Sequence, residues 1–326
     1  MDFNLNLGCI DDGNLEGISE SSLYDVLVVG TGPAAVSSAV YAARKGLKTA
    51  MIGLKIGGQV LDTKDIENII GVPKTTGMEY AENLEKHLKE YCVALKEGTY
   101  VTNLEADGKD KIVTTSDNKK YKSKTVIIAT GAKWRELNVP GEQEYKGKGI
   151  HYCATCDGPF YKGLDVAIVG GGNSGVEAAL DMSGIAKSVT VVEFMPELKA
   201  DKVLIDKLGE RNNVKVITNV ATTEIFGEDF TKGLKYKNRA DDSISDLNID
   251  GVFIEIGLTP NSEFAKNLVE TNRFGEIIIN ENNMTNVKGV FAAGDVTTVK
   301  QKQIVISVGE GAKAALNAFE YLIKEY

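Results

Sequence analysis

The residues best suited to chemistry are Cys153-Ala154-Thr155-Cys156-Asp157-Gly158, two cysteines separated by two residues with an aspartate directly after the second. A C-x-x-C pair closes a small disulfide, its thiols can ionise below the ordinary thiol range, and Asp157 supplies a place to put a proton. Three other uses compete with a redox dithiol. Half of a zinc site would need a second Cys or His pair, but Cys9 and Cys92 are isolated and His87 and His151 are far apart in the chain. A static disulfide suits a secreted protein, and a pair of inert core cysteines is the third use. The stretch MDFNLNLGCIDDGNLEG is acidic and has neither a basic start nor a continuous apolar segment. No secretory signal is therefore expected, and a cytoplasmic, reducing compartment is.

The elements that must hold this dithiol follow at once. Seven residues after Gly158, the apolar stretch Asp165 to Val169 reads as a buried strand and runs into Gly170-Gly171-Gly172-Asn173-Ser174-Gly175. A helix is predicted from about Asn173 to Ser183. Strand, glycine turn and helix make a dinucleotide-binding unit with Gly170, Gly172 and Gly175 all present. The next strand, Ser188 to Val192, ends in Glu193, 23 residues beyond Gly170, where a carboxylate accepts hydrogen bonds from an adenosine ribose. The alternative use of Glu193 is a solvated strand-end charge. A 2′-phosphate would be repelled there, and Phe194-Met195-Pro196-Glu197 offer no arginine to receive one. NADH is favoured over NADPH, with Lys199 and Lys202 lying slightly further on.

An earlier unit has the same form. Tyr24 to Val29 is a strand leading into Gly30-Thr31-Gly32-Pro33-Ala34-Ala35, and an Ala-rich helix runs on to about Lys45. Gly30 permits the tight turn, Gly32 lets a pyrophosphate approach the backbone, and the helix start supplies N–H donors; Ala35 replaces the third glycine. The second strand, Lys48 to Ile52, ends at Gly53-Leu54 without an acidic residue. Gly57-Gly58-Gln59 and Asn68 either bring backbone close to a planar ligand or form a loop with turn glycines. A helix is expected from about Gly77 to Tyr91, with His87 on a solvated face and Cys92, just beyond, a small core residue. The strand Thr125 to Thr130, which includes Ala129, ends in Thr130-Gly131-Ala132, where backbone can pass close to a ligand or another strand.

From Val214 to Ile254 short β-prone runs alternate with polar turns, and Asn238 to Asp246 reads as a surface loop. The strand Val290 to Ala293 ends in Gly294-Asp295, an aspartate suited to a sugar or ribityl hydroxyl. A terminal helix from about Ile304 to Lys324 begins after Lys302-Gln303, so its positive end can face an anionic group.

The whole chain has 326 residues, 43% hydrophobic and 25% charged, which suits two soluble domains of ordinary size. Lys and Arg number 37 against 46 Asp and Glu, a net charge of -9 that argues against nucleic acid or an anionic membrane as partner. The longest apolar runs are of strand length, so no membrane span is expected. Two dinucleotide units beside one dithiol point to electrons moving from a nicotinamide to a disulfide. Hydride carries two electrons at once while thiolates attack sulfur, so an intermediary such as a flavin is needed. FAD is expected on the first unit and NAD(P)H on the second.

From about Tyr24 onward the chain resembles the low-molecular-weight thioredoxin reductases, most closely the reductase portion of the alkyl hydroperoxide reductase flavoprotein. The resemblance is carried by GTGPAA at Gly30, GGQ at Gly57, ATGAKWR at Ala129, CATCDG at Cys153, GGGNSGVEAA at Gly170, VVEFMPELKAD at Val191 and GVFAAGD at Gly289. It implies an α/β protein with two Rossmann-like dinucleotide-binding domains, FAD and NAD(P)H, the second inserted in the first. After a lead-in of residues 1–21, the FAD domain would span 22–132 and 248–326 and the NAD(P)H domain with its dithiol 133–247. It implies a homodimer, a rotation about hinge strands near Lys133 and Asn248, and a flavin contact made by Pro33, Ala34, Gln303 and Ile304 besides the residues above. In the mechanism built on it, Cys156 is the flavin-proximal sulfur, Asp157 the proton donor, and Cys153 the thiol that attacks the partner. Only about 21 residues precede the reductase, so the acceptor is expected to be a separate thioredoxin- or glutaredoxin-like protein, with a peroxiredoxin relay beyond it. Competing functions are a reductase fed by ferredoxin or another protein donor, a redox sensor without turnover, and direct peroxide reduction at Cys153.

Overall fold

The computed structural model describes residues 17–63 and 65–326; Cys9 and most of the 1–21 lead-in lie outside the described residues. Two compact units emerge, one formed by the chain up to Lys133 together with Thr259–Tyr326, the other by Trp134–Leu258. The second is thus inserted in the first.

In the first unit β1 (Leu23–Val29) leads through a glycine turn into α1 (Pro33–Arg44), then β2 (Thr49–Ile52), α2 (Gly77–Lys89) and β3 (Val93–Lys96). A meander of β4 (Val101–Asp107), β5 (Asp110–Thr115) and β6 (Lys120–Ile128) follows, and β7 (Ala132–Trp134) leaves the unit. The sheet order is β3-β2-β1-β6-β5-β4, parallel from β3 to β6 and antiparallel beyond. Because β2 lies on one side of β1 and β6 on the other, the chain reverses direction across the sheet at β1, the position where open α/β sheets bind ligands. The strand alternation sets the layers. Val26 and Val28 pack under α1 with Ala35 and Ala39, whereas Leu27 and Val29 pack on the opposite face with Val113 and Tyr121.

The second unit runs β8 (Ile150–His151), α3 (Ala154–Asp157), β9 (Asp165–Val169), α4 (Asn173–Ser183), β10 (Ser188–Val192), α5 (Lys202–Gly209) and β11 (Val214–Ile217). An antiparallel sheet of β12 (Val220–Gly227), β13 (Thr231–Asn238) and β14 (Ile244–Asn248) precedes β15 (Gly251–Ile254). The parallel sheet has the order β11-β10-β9-β15-β8, so its reversal lies between β9 and β15. Val166 and Ile168 meet α4 through Val176, Ala179 and Met182; Ala167 and Val169 meet Ile225 and Leu234 of the antiparallel sheet. The chain returns through β16 (Leu258–Pro260), and β17 (Val290–Ala292) joins β6 before α6 (Ile304–Glu325) closes the first unit over α1.

Three details differ from the sequence expectation. The return to the first unit falls after Leu258 rather than at 248, because β15 pairs with β9 along Gly251–Ile254. Cys92 is exposed rather than in the core, since α2 stops at Lys89 and the chain turns over the surface before β3. The loop expected from Asn238 to Asp246 is shorter, because Ile244–Asp246 pair with β13.

Candidate active site

The turn after β1 is built by close backbone approach. Gly30 has φ +125°, and a Cβ there would lie 2.2 Å from the carbonyl oxygen of Ala129, so the Ala129-Thr130-Gly131 turn at the end of β6 seats directly on it. Asn261 clamps that turn, donating from Nδ2 to the Thr130 carbonyl at 2.9 Å and accepting the Thr130 hydroxyl on its own carbonyl at 2.7 Å. Gly57 N–H donates to the Thr31 carbonyl at 2.9 Å, and a Cβ on Gly58 would come within 3.2 Å of the Gly32 Cα. The Gly57-Gly58-Gln59 stretch is therefore the second wall of this turn. Asn68 donates to the side chain of Gln303, which caps α6 just before Ile304, at 3.1 Å. Gly294 lies against Ala34, and Asp295 beside it accepts the Ser307 hydroxyl at 3.1 Å. Burial pushes the Asp295 carboxyl above its ordinary value. Pro33 opens α1 and Ala35 is fully buried within it.

The second turn repeats the first. Gly170 has φ +124°, and a Cβ there would lie 2.4 Å from the carbonyl of Glu255 at the end of β15. Gly175 lets α4 rest on the Gly170 carbonyl, while Asn173 and Ser174 at the start of α4 are exposed. Asn173 exchanges hydrogen bonds with Asp201. Glu193 is buried, its carboxylate accepting from the N–H of Gly171 and, at 2.6 Å, from that of Met195. It is not a solvated strand-end charge. Lys199 and Lys202 pair with Glu197 and Asp206. The fold does supply an arginine: Arg239, from the end of β13, lies 3.8 Å over the Phe194 ring and donates to the Phe194 carbonyl at 3.0 Å. Its separation of 45 residues from Phe194 hid it from a reading of the local stretch.

Both turns fit a dinucleotide. The residues at the N-cap of α1 and α4 are Gly32 and Gly172, which have no side chain to cap the first-turn N–H groups, and a Cβ on Gly172 would meet nothing within 4 Å. Uncapped N–H groups at a helix start facing open space are the donors a pyrophosphate uses.

Cys153 and Cys156 form a disulfide, with Cα atoms 5.3 Å apart, around the single turn of α3. Cys153 caps this turn, its sulfur accepting the Cys156 N–H at 3.2 Å. Asp157 lies 3.3 Å from Nδ1 of His151, whose Nε2 is 2.7 Å from the Tyr161 hydroxyl. Burial raises the Tyr161 phenol to about 12, so the hydroxyl beside Nε2 keeps its proton at neutral pH. Glu255 accepts the N–H of Ala154, between the two cysteines, at 3.2 Å. Its burial pushes the carboxyl up to about 7. His151 stood two residues from Cys153 in the sequence, but its partners were invisible there; nothing in the sequence flagged Tyr161, Glu255 or Asn261. Among the described residues no group of His, Cys, Asp and Glu could hold a metal ion, and no helix is long and apolar enough to cross a membrane.

The F subunit of the alkyl hydroperoxide reductase of Staphylococcus aureus strain Mu50 is 52% identical over 301 residues, 92% of this chain and 59% of that protein. The Escherichia coli K12 protein of the same name is 50% identical over 313 residues, 95% of this chain and 60% of its own. This chain thus spans about three fifths of the length of these curated relatives. The crystal structure of thioredoxin reductase from Streptococcus pyogenes MGAS5005 superposes with a TM-score of 0.88 at 39% identity, covering 93% of this chain and 99% of that one. The sequence pattern of the pyridine nucleotide-disulphide oxidoreductases, which implies FAD and a pyridine nucleotide, matches residues 24–311. That match runs from the first strand into the terminal helix, and with the two Rossmann-like units around one dithiol it settles the family: the chain is a pyridine nucleotide-disulphide oxidoreductase, built like the low-molecular-weight thioredoxin reductases.

Proposed function

We propose that the enzyme passes electrons from NADH, in preference to NADPH, by way of FAD and the Cys153–Cys156 pair to the disulfide of a thioredoxin- or glutaredoxin-like module, and that this module feeds peroxide reduction. The observation that carries the reading is the Cys153–Cys156 disulfide in the same unit as the GGGNSG turn. A dithiol held beside a nucleotide turn is placed to be reduced and then to be spent on another disulfide. The relatives named as alkyl hydroperoxide reductase components support peroxide reduction as the downstream use. Bound flavin would supply the conversion of a two-electron hydride donor into a reductant of sulfur.

The chain's own residues divide the work. Gly30, Gly32, Pro33, Ala34, Ala35, Gly57, Gly58, Gln59, Asn68 and the 129–131 turn, with Asp295, Gln303 and Ile304, form the flavin seat. Gly170, Gly172, Asn173, Ser174 and Gly175 present backbone donors to a pyrophosphate, and Glu193 accepts from the adenosine ribose. Two oxygens already fixed by Gly171 and Met195 hold the Glu193 carboxylate rigid, and a carboxylate so placed repels a 2′-phosphate. Cys156 receives electrons, Cys153 attacks the partner disulfide, and Asp157, oriented by His151, handles the proton.

An anaerobic titration of the purified flavoprotein with NADH and, separately, NADPH tests this by flavin absorbance. Bleaching at near-stoichiometric NADH with a much weaker response to NADPH is expected. Bleaching by dithionite but by neither nucleotide would replace the reading with a protein donor such as ferredoxin. A Cys156→Ser variant should retain flavin bleaching by NADH and lose turnover of disulfide substrates; full turnover would remove the dithiol from the path.

A further inference from the structure

Two carboxyls flank the dithiol, and Asp157 alone does not account for both. We infer that Glu255 is a proton-holding and positioning residue of the Cys153–Cys156 couple, taking up a proton when the disulfide is opened and releasing it when the dithiol is spent. The inference rests on the reading of this pair as the redox dithiol.

The geometry is specific. Glu255 directly follows β15 at the point where the sheet reverses, its carbonyl under the Gly170 turn and its side chain turned to α3. The N–H it accepts is that of Ala154, the residue directly after Cys153. That N–H belongs to the first turn capped by Cys153, so the carboxyl anchors the backbone between the two sulfurs. Among the described residues no lysine or arginine compensates it: burial alone raises it, with the Ala154 N–H working in the opposite direction. The other titratable groups about the dithiol are Asp157 on α3, His151 on β8 and Tyr161 in the following turn, with Glu177 and Asp181 on α4, which packs on α3. Asp157 is engaged by the His151 ring, which leaves Glu255 the carboxyl nearest the dithiol backbone without a cationic or imidazole partner in this set.

Opening the disulfide takes two electrons, supplied in turnover by the reduced pyridine nucleotide. The S–S bond breaks and two thiolates form. One sulfur takes a proton to become a thiol, and the charge on the other favours protonation of the Glu255 carboxylate, so two protons are bound per pair of electrons. When the remaining thiolate attacks a partner disulfide, a mixed disulfide forms and the partner's sulfur leaves with the electron pair. The second thiol then displaces the partner, the Cys153–Cys156 bond closes, and both protons depart.

The test uses full-length flavoprotein, wild type and Glu255→Gln, reduced with excess dithiothreitol and desalted anaerobically. Alkylation of Cys153 and Cys156 by iodoacetamide is followed from pH 5.5 to 8.5 and resolved by peptide mass. Gln keeps an acceptor for the Ala154 N–H but holds no charge. At pH 8, where an ionised Glu255 disfavours a neighbouring thiolate, E255Q should alkylate about five-fold faster than wild type, while at pH 5.5 the two should differ by less than about two-fold. A ratio constant across this range overturns the inference, since a purely structural role has no reason to follow pH. Wild-type protein gives a test without substitution: the infrared difference spectrum between disulfide and dithiol at pH 7 should gain a protonated-carboxyl band, and its absence argues equally against the proposal. Failure of the underlying reading looks different. A wild-type disulfide that turnover does not require would remove the dithiol itself, whereas a cycling dithiol with a flat E255Q ratio removes only Glu255.

Discussion

The two glycine turns share one backbone and differ in what fills the space around it. In the first, Thr31 stands between the glycines and its hydroxyl donates to the Lys55 carbonyl at 2.8 Å; the strand opposite ends in Gly53, where a Cβ would lie 2.6 Å from Thr31 Cγ2. The second reverses the assignment: Gly171 stands between the glycines, and a Cβ there would lie 2.7 Å from the Glu193 carboxylate. One side chain is allowed per turn. The first turn fills the space with a small hydroxyl, while the second fills it with a carboxylate. A second contrast sits where each sheet reverses, Ala129 under Gly30 and Glu255 under Gly170, so at this equivalent place the second turn meets an ionisable residue and the first an alanine. The same fold unit thus carries different chemistry at equivalent places through single residues.

The largest effects should come from blocking one turn at a time. Gly30→Ala places a Cβ against the Ala129 carbonyl in a backbone region that costs about 1–3 kcal/mol for other residues, so the purified protein should carry less than about a tenth of the wild-type flavin. Gly170→Ala should keep its flavin and lose bleaching by pyridine nucleotide. Loss of flavin from both variants in absorbance scans would merge the two turns into one function.

The Ala129 and Glu255 contrast gives a stability difference that depends on pH. Glu255 has its ordinary value of 4.5 in the unfolded chain and about 7 when folded, so between those values the folded state holds the proton that the unfolded chain has released. Stability therefore falls as pH rises from about 4.5 to about 7, and the full cost, at most about 3 kcal/mol for such a shift, is present above 7. Thermal melts of E255Q should lie above wild type at pH 8 and coincide with it near pH 4.5; a constant offset would contradict this origin.

Exchanging the filling residues tests the spatial complementarity. Gly171→Thr should displace the Glu193 carboxylate and weaken nucleotide binding by about ten-fold or more, and adding Glu193→Gly should restore the packing without restoring ribose recognition. Calorimetric binding of NADH to the single and double variants measures the coupling, and strict additivity would mean that the two positions do not share one space. Smaller again, Glu193→Gln should narrow the NADH over NADPH preference by about ten-fold. Arg239→Ala should change NADPH binding by only about two- to three-fold, because its guanidinium is already occupied by Phe194 and Asn219.

What the sequence determined by itself is whatever depends on neighbours along the chain. The strand Asp165–Val169, the turn Gly170–Gly175 and the helix Asn173–Ser183 are contiguous, so apolar runs and glycine spacing were enough to place them, and a C-x-x-C-D run states its own chemistry. The tertiary structure alone decided what arrives from a distance. Arg239 on Phe194, Asn261 on Thr130, Asn68 on Gln303 and Glu255 on Ala154 join residues 45 to 235 positions apart, and no local pattern encodes such pairs. The return crossing at Leu258 belongs with them, since β15 is held in the second unit by pairing with β9 across more than 80 residues. Burial is the physical reason that this matters for function. A glutamate after an apolar strand is an ordinary charge until the sheet closes around it, and only then does its proton become available near neutral pH.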